Sequence, residues 1–349
     1  MKPKRFIMRI LAVDIGMGTQ DIMIVDEAKS PLEGSYKLVL PSPTRYFAQK
    51  IRSTKGDLLI YGDTMGGGPI NRAILDHLKE HRVYMTPSAA RTIRDDLEQV
   101  RELGITLISD DELEKIDCEK LRITDLDLEL LKSRLEAFGI DTSFDVIAVA
   151  VQDHGVAPQG VSDRENRFII FKKLLLSSRR IEEFSHLNKI RGEFSRMKSI
   201  LKRLRSSFTG DILIMDTGVA AALGSLMDER MSGIQRSVAV NIGNGHTLAV
   251  SIEDREICGF FEHHTRMIDR DKLLHFLDRL KKGVITFEEV FDDGGHGALI
   301  FEPIEPDVIT ITGPTQSFMK GAEVHVAPAG DMMMAGPVGL VEAVKYRLG

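Results

Sequence analysis

One turn is written twice in this chain of 349 residues, and that repetition limits the folds open to it more than any other feature. Near the N-terminus an apolar run, Arg9 to Val13, meets Asp14-Ile15-Gly16-Met17-Gly18-Thr19-Gln20, and the chain returns as Ile22 to Val25. Far downstream, Val238 to Val240 meets Asn241-Ile242-Gly243-Asn244-Gly245-His246-Thr247 and returns as Leu248 to Ile252. A polar turn, Glu253 to Glu256, then leads into a third run, Ile257 to Phe261. Short β-rich segments joined by tight polar turns predict an antiparallel meander. Glycine there can take positive φ and has no Cβ, so backbone N–H groups can close on an anion such as phosphate. A single Gly-rich hairpin would be a weak signal. Two imply two copies of one supersecondary unit facing a shared ligand.

A chain of this length exceeds what one core usually supports, so two domains are expected. Lys and Arg total 46 against 52 Asp and Glu, a net charge of −6, which excludes a generally basic surface and with it nucleic acid or anionic membrane as a partner. There are no tryptophans and five tyrosines, too few for base-stacking platforms. Cys118 and Cys258 stand far apart, which suits a reducing compartment and supplies no iron-sulfur ligand set. The basic start is interrupted by Arg9 and Asp14, and no later stretch reaches a membrane span, so a cytoplasmic protein is expected.

Taken in order, the first hairpin is followed by a strand, Tyr36 to Leu40, and by Arg45 to Gly62, which reads as extended. Met65-Gly66-Gly67-Gly68-Pro69 precedes a helix from Ile70 to Lys79 and reads equally as a phosphate-binding helix N-terminus or as a flexible entry loop. Thr86-Pro87 opens a helix to Leu103, with Asp95, Asp96 and Glu98 on a solvated face. Leu126 to Phe138 is helical and ends at Gly139. The apolar run Phe144 to Val151 is a buried strand that delivers Gln152-Asp153-His154-Gly155 to its C-terminal edge, where α/β sheets bind ligands. Val156 to Asn166 reads as a loop and Arg179 to Arg205 as helix-rich. Ile212 to Met215 is a strand, and Asp216-Thr217-Gly218 opens a helix thinned by Ala220, Ala221 and Ala222, as at a tight crossing or hinge. Arg270 to Lys281 is a helix with a leucine stripe in the core. Val308 to Thr312 is a strand ending in Gly313-Pro314 with a helix to Met319, Ala322 to Val326 a last strand and Met332 to Leu348 a last helix.

This series of three strands, helix, strand, helix, strand, helix, given twice, resembles the actin-like ATPase superfamily of actin, ATP-driven chaperones and the acetate and sugar kinases. Asp14 to Thr19 matches its first phosphate motif and Asn241 to Thr247 its second. Asp216 to Gly224 is similar to the first helix connecting the lobes, Thr310 to Pro314 falls where the adenosine motif does, and Ala329-Gly330 to Val341 where the second connecting helix does. More narrowly the chain resembles a prokaryotic family labelled "putative pyruvate formate-lyase activating enzyme". Radical activators need three closely spaced cysteines for their cluster, so two distant ones exclude that chemistry here.

The resemblance implies two ribonuclease H-like lobes, 1–227 with helical insertions and 228–349, with ATP and Mg2+ in the cleft between them. It implies nucleotide contacts from Gly16, Gly18, Thr19, Gln20, Asn241, Gly243, Asn244, Gly245, His246, Thr247, Gly313 and Pro314. Asp14 is the candidate carboxylate for the metal, with a backbone-bonded turn Asp as its alternative. Asp153 is the candidate for orienting water or a substrate hydroxyl, with His154 or Gln152 as alternates; a hydrogen-bonded turn histidine is the competing reading of His154. The second phosphate motif usually begins with Asp, and Asn241 can neither act as a base nor neutralise a cation. An ATPase or small-molecule phosphotransferase therefore stands beside a nucleotide-dependent sensor or scaffold without turnover. A third reading is a zinc or iron site drawn from His246, His263, His264 and His296, with His154 or His325 added. The acceptor is not legible in these residues, and a homo-oligomer is compatible with them.

Overall fold

A computed structural model describes residues 8–29, 35–192, 194–314, 319 and 324–349. The expected helix from Gly313-Pro314 to Met319 and the start of the strand expected from Ala322 lie outside the described residues.

The first hairpin forms as read. Strand β1 (Arg9–Ile15) pairs antiparallel with β2 (Thr19–Asp26), and β2 with β3 (Ser35–Pro41). The chain then leaves this sheet for a separate unit whose strands β4 (Leu58–Gly62), β5 (Val83–Met85), β6 (Thr106–Leu107) and β7 (Glu119–Ile123) form a parallel sheet in the order β6-β5-β4-β7. Its own core gathers Phe47, Ile51, Leu58, Ile60, Ile74, Val83 and Val100. The expected helical insertion is thus a small α/β unit. Two expectations within it are corrected. The segment read as extended from Arg45 opens with a helix, Pro43–Ser53, whose buried positions Thr44, Phe47, Ala48 and Ile51 repeat at helical spacing. The helix expected from Thr86 to Leu103 is broken into Pro87–Ala90 and Leu97–Glu102, the second capped by the Asp96 side chain accepting from the Glu98 amide.

The chain returns as β8 (Val146–Val151), buried throughout, then β9 (His186–Leu187) and β10 (Asp211–Asp216). The first sheet runs β3-β2-β1-β8-β10-β9, with β8 parallel to both β1 and β10. The second lobe repeats the plan. Strands β11 (Arg236–Ile242), β12 (His246–Glu253) and β13 (Glu256–His264) form the meander. With β14 (Gly297–Ile300), β15 (Val308–Thr312) and β16 (Val324–His325) they make a sheet in the order β14-β13-β12-β11-β15-β16, with β15 parallel to β11 and β16. Meander followed by parallel strands, twice, is the ribonuclease H-like topology in duplicate.

Two helices join the lobes by crossing backbone to backbone. Thr217–Ser225 meets Ala335–Leu348 where a Cβ on Gly224 would overlap the Ala335 carbonyl, and one on Gly339 would overlap the Ala220 carbonyl. The alanines next to them keep that approach open.

Residues 156–207, the least legible stretch, hold the lobes together on a second side. The expected loop from Val156 ends early, because Ser162 caps a helix, Asp163–Ser177, by accepting the Glu165 amide. That helix puts Phe168 and Phe171 against Phe260 of β13, with centroids 5.1 and 5.7 Å apart, so one apolar core runs through both lobes. A second helix, Ser195–Arg205, docks the small α/β unit. Arg203 pairs with Asp63 at 2.9 Å, and the Ser199 hydroxyl accepts the Thr64 amide. No helix among the described residues is long and apolar enough to cross a membrane.

Candidate nucleotide and metal site

The two Gly-rich turns close themselves in the same way. The Gly16 amide donates to the Thr19 carbonyl and the Gly243 amide to the His246 carbonyl, both at 3.0 Å, which places Met17-Gly18 and Asn244-Gly245 at the tips. The tips meet across the cleft: a Cβ on Gly18 would overlap the Asn244 side chain, and one on Gly245 would press on Met17. Met17, Asn244 and Gly245 line a cavity of about 330 Å³, within the size range of small-molecule sites.

Three units wall this cavity. Lobe one gives Gly16, Met17, Gln152, Asp153, His154 and Thr217; lobe two gives Asn241, Gly243, Asn244, Gly245, His246 and Glu262; the small unit gives Met65 to Pro69 and Arg91 to Asp95. The Gly66-Gly67-Gly68 turn therefore opens its helix, Gly68–His77, at the cavity wall. Gly18, Thr19, Gln20, Thr247, Gly313 and Pro314 do not line it. Gln20 and Thr247 are buried in strands, the Thr19 carbonyl closes its turn, and Gly313 packs on the Ile242 carbonyl with φ +98°.

Asp14 lies beneath the lining. Its Oδ1 accepts from the Thr217 hydroxyl at 2.6 Å, and Gly336 packs on its Oδ2. Burial, then Asp21, raises its carboxyl to about 8. Burial also raises Asp21 to about 7, and Asp21 Oδ1 is buried with no hydrogen-bond partner. Asp14 and Asp21, opposite one another on β1 and β2, are hard-oxygen donors of the kind Mg2+ takes, but they stand behind the cavity lining, so they suit an ion held through water rather than directly.

Asp153 has both oxygens engaged. Oδ1 accepts the Gly155 amide at 2.8 Å and Oδ2 the Met197 amide at 2.9 Å. The second bond caps the helix Ser195–Arg205 from another element, since its own N-cap position is Phe194. Next to it Arg196 grips Asp125 with two bonds of 2.7 and 2.8 Å and donates to the Gln152 carbonyl.

Several cavity residues carried no signal in the sequence. Asp95, read as a solvated carboxylate, faces the cavity. Its Oδ1 is buried with no partner, and burial raises it to about 6 despite the Ser195 hydroxyl beside it. Arg91 and Arg94 are exposed at the mouth and form no ion pair among the described residues. Arg167, fully buried, donates from Nε to Glu262 and from Nη1 to Asp216, both at 2.7 Å. Gln152 also donates to Glu262, at 2.6 Å. An isolated Arg on a polar helix gives no hint of such a post.

Of the expected histidines, His246, His264, His296 and His154 come together. His246 and His264 face each other across β12 and β13, and His296, directly before β14, lies beside them, with ring centroids 4.8 to 4.9 Å apart. His154 reaches over from lobe one, its Nε2 3.1 Å from that of His296. His263 is turned away by the strand pleat and bonds Asp293, and His325 sits on β16 at the opposite edge of the sheet. Burial pushes His264 down to about 4 and His154 and His296 well below the usual range, so the rings are neutral at pH 7.

Duplicated lobes that close Gly-rich turns over a shared cavity define a protein of the actin-like ATPase fold. Residues 65–318 match the family described as "Putative pyruvate format-lyase activating enzyme (DUF1786)", and the chain belongs to it. No curated protein matches its sequence. Among solved structures it is similar to "Lmo2764 protein, a putative N-acetylmannosamine kinase, from Listeria monocytogenes" (10% identity, 98% of this chain and 100% of that one, TM-score 0.37). It is also similar to a Bacteroides thetaiotaomicron protein "with actin-like ATPase fold and unknown function" (8%, 97% and 98%, TM-score 0.37). A third is a chain of the "PilM-PilN type IV pilus biogenesis complex" (12%, 96% and 98%, TM-score 0.41).

Proposed function

We propose that this chain binds ATP with Mg2+ between its two Gly-rich turns and acts as an ATPase or a small-molecule phosphotransferase. The observation that carries this reading is the meeting of the two turn tips, Met17 against Gly245 and Gly18 against Asn244, at a cavity that Met17, Asn244 and Gly245 line, each tip belonging to a turn whose other amide is spent on closure. Phosphate contacts would come from the tips, Met17-Gly18 and Asn244-Gly245, with Arg91 and Arg94 supplying charge at the mouth. Asp14 and Asp21 would hold the Mg2+ through water from behind the lining, and the ion neutralises phosphate charge when bound. Asp153 positions the floor by capping a helix. The group that orients and deprotonates the attacking hydroxyl or water is Asp95, which lines the cavity, has one buried oxygen without a partner, and carries a carboxyl raised to about 6 by burial.

Asn241 favours a second reading, binding without turnover, because an amide stands where the superfamily places a carboxylate. The continuous aromatic contact between lobes argues against large opening as the output of such a sensor. Phosphate release from MgATP and calorimetric nucleotide binding, with wild type and Asp95→Asn, separate the two. The expected result is slow release that falls at least about tenfold in Asp95→Asn while nucleotide affinity stays. Binding without release supports the sensor, and no binding of ATP, ADP or GTP overturns both.

A further inference from the structure

The chain brings four histidines to one place for which the nucleotide reading has no use. The second sheet explains how. On β12 and β13 side chains alternate between faces, so His246 and its opposite number His264 share a face with Glu262, while His263 points to the other. The next strand begins at Gly297, opposite Glu262; the His296 amide donates to the Glu262 carbonyl and Gly297 takes φ +131°, a break in the alternation that puts the His296 ring beside the pair rather than with His263. Two strands and the residue leading into a third thereby deliver one imidazole each to the same end of the sheet. One nitrogen from each of His246, His264 and His296 lies within 4.8 Å of the other two.

Packing alone does not account for the arrangement. His296 is 1% exposed, and its Nδ1 has no hydrogen-bond partner, an unmet cost for a buried polar atom. We propose that His246, His264 and His296 bind one divalent transition ion of the zinc class, with His154 as the outer partner of His296 and the fourth coordination position open to the cavity beside His246.

Nitrogens sharing a tetrahedral zinc at roughly 2.0–2.1 Å stand about 3.3 Å apart, so the rings need to close by about 1.5 Å at most. His246 and His264, both half-buried at strand ends, have room to turn. The His154 contact is the kind of second bond that fixes the ring and tautomer of a metal-bound histidine. The charge nearby is also favourable. Arg167 faces the cluster, but it is shared by Glu262 and Asp216, one guanidinium against two carboxylates. Three imidazoles with one open position leave a Lewis-acidic site for water or an oxygen ligand.

The test uses untagged full-length protein, stripped with chelator, equilibrated with Zn2+ or Co2+ in the absence of nucleotide, gel-filtered and measured by elemental analysis and visible absorption. The expected result is about one ion per chain with a tetrahedral Co2+ spectrum. His264→Ala and His296→Ala should lose the ion, His154→Gln should bind about 10–100-fold more weakly, and His275→Ala, an exposed control, should keep it. Circular dichroism confirms folding; if His296→Ala unfolds, the half-buried His264 position decides. Wild type that retains no ion, or a folded His264→Ala that binds as well as wild type, overturns the proposal. Because nucleotide is left out, failure here leaves the nucleotide reading untouched, and failure of that reading leaves this one.

Discussion

Arg167 and Glu262 form an ion pair at 2.7 Å between the lobes, and both side chains are almost completely buried. Arg167 carries the same contact onward to Asp216, the cap of the first connecting helix. Burying such a trio is expensive, but removing one member is worse, because it strands the others without water or partner. Glu262→Ala should therefore cost about 3–5 kcal/mol in urea unfolding, and Glu262→Gln, which keeps an acceptor, distinctly less. A loss below about 1 kcal/mol for the alanine variant would mean that water reaches the pair.

The helix crossing predicts an asymmetry among glycines. At Gly224 an added methyl meets the Ala335 backbone, which cannot swing aside, whereas at Gly18 it meets the end of the Asn244 side chain, which can. Gly224→Ala should destabilise by about 1–3 kcal/mol or more despite the better helix propensity of alanine. Gly18→Ala should leave the melting temperature nearly unchanged. Equal shifts in thermal denaturation would contradict the close backbone contact.

Asp14 makes stability depend on pH in an unusual direction. Its carboxyl moves from 3.8 to about 8 on folding, so between those values the folded chain keeps a proton that the unfolded chain releases. Stability should fall as pH rises through that window, and Asp21 adds to the fall up to about pH 7. Asp14→Asn should raise stability at alkaline pH by on the order of 1–3 kcal/mol and flatten the slope. Mg2+ should flatten it in wild type as well. Parallel stability curves for the two proteins would remove the basis for a cation at this carboxylate.

Asp153 should behave as a cap. Asp153→Ala frees the Met197 and Gly155 amides, and the expected cost is about 1–2 kcal/mol with faster hydrogen exchange in the first turn of Ser195–Arg205. Unchanged exchange there, with loss of phosphate release alone, would return Asp153 to the chemistry.

Much of this architecture is legible in the chain because local signals agree with tertiary ones. Both meanders join β-rich runs through glycine turns, and Arg270–Lys281 and Val308–Thr312 keep the bounds their periodicity predicts. The small α/β unit is not legible: its strands have two to five residues, and Pro43–Ser53 mixes polar and apolar groups closely enough to pass for alternation. Within the site, glycines announce themselves, whereas Arg167, Asp95 and Arg196 matter through partners tens of residues distant. The histidines were half readable. Period-two alternation separates His263 from His264 in the sequence, but only the pairing of β13 with β14 brings in His296.

The bare crossing of Gly224 and Gly339 has a mechanical meaning. With peptide against peptide, the distance between the two helices at this point is fixed by backbone atoms and cannot be relieved by turning a side chain. The lobes are thus tied at two places, here by backbone and at Phe168, Phe171 and Phe260 by aromatic rings. The Arg167 trio is a third tie between the same lobes, and whatever parts them has a buried ion pair to break.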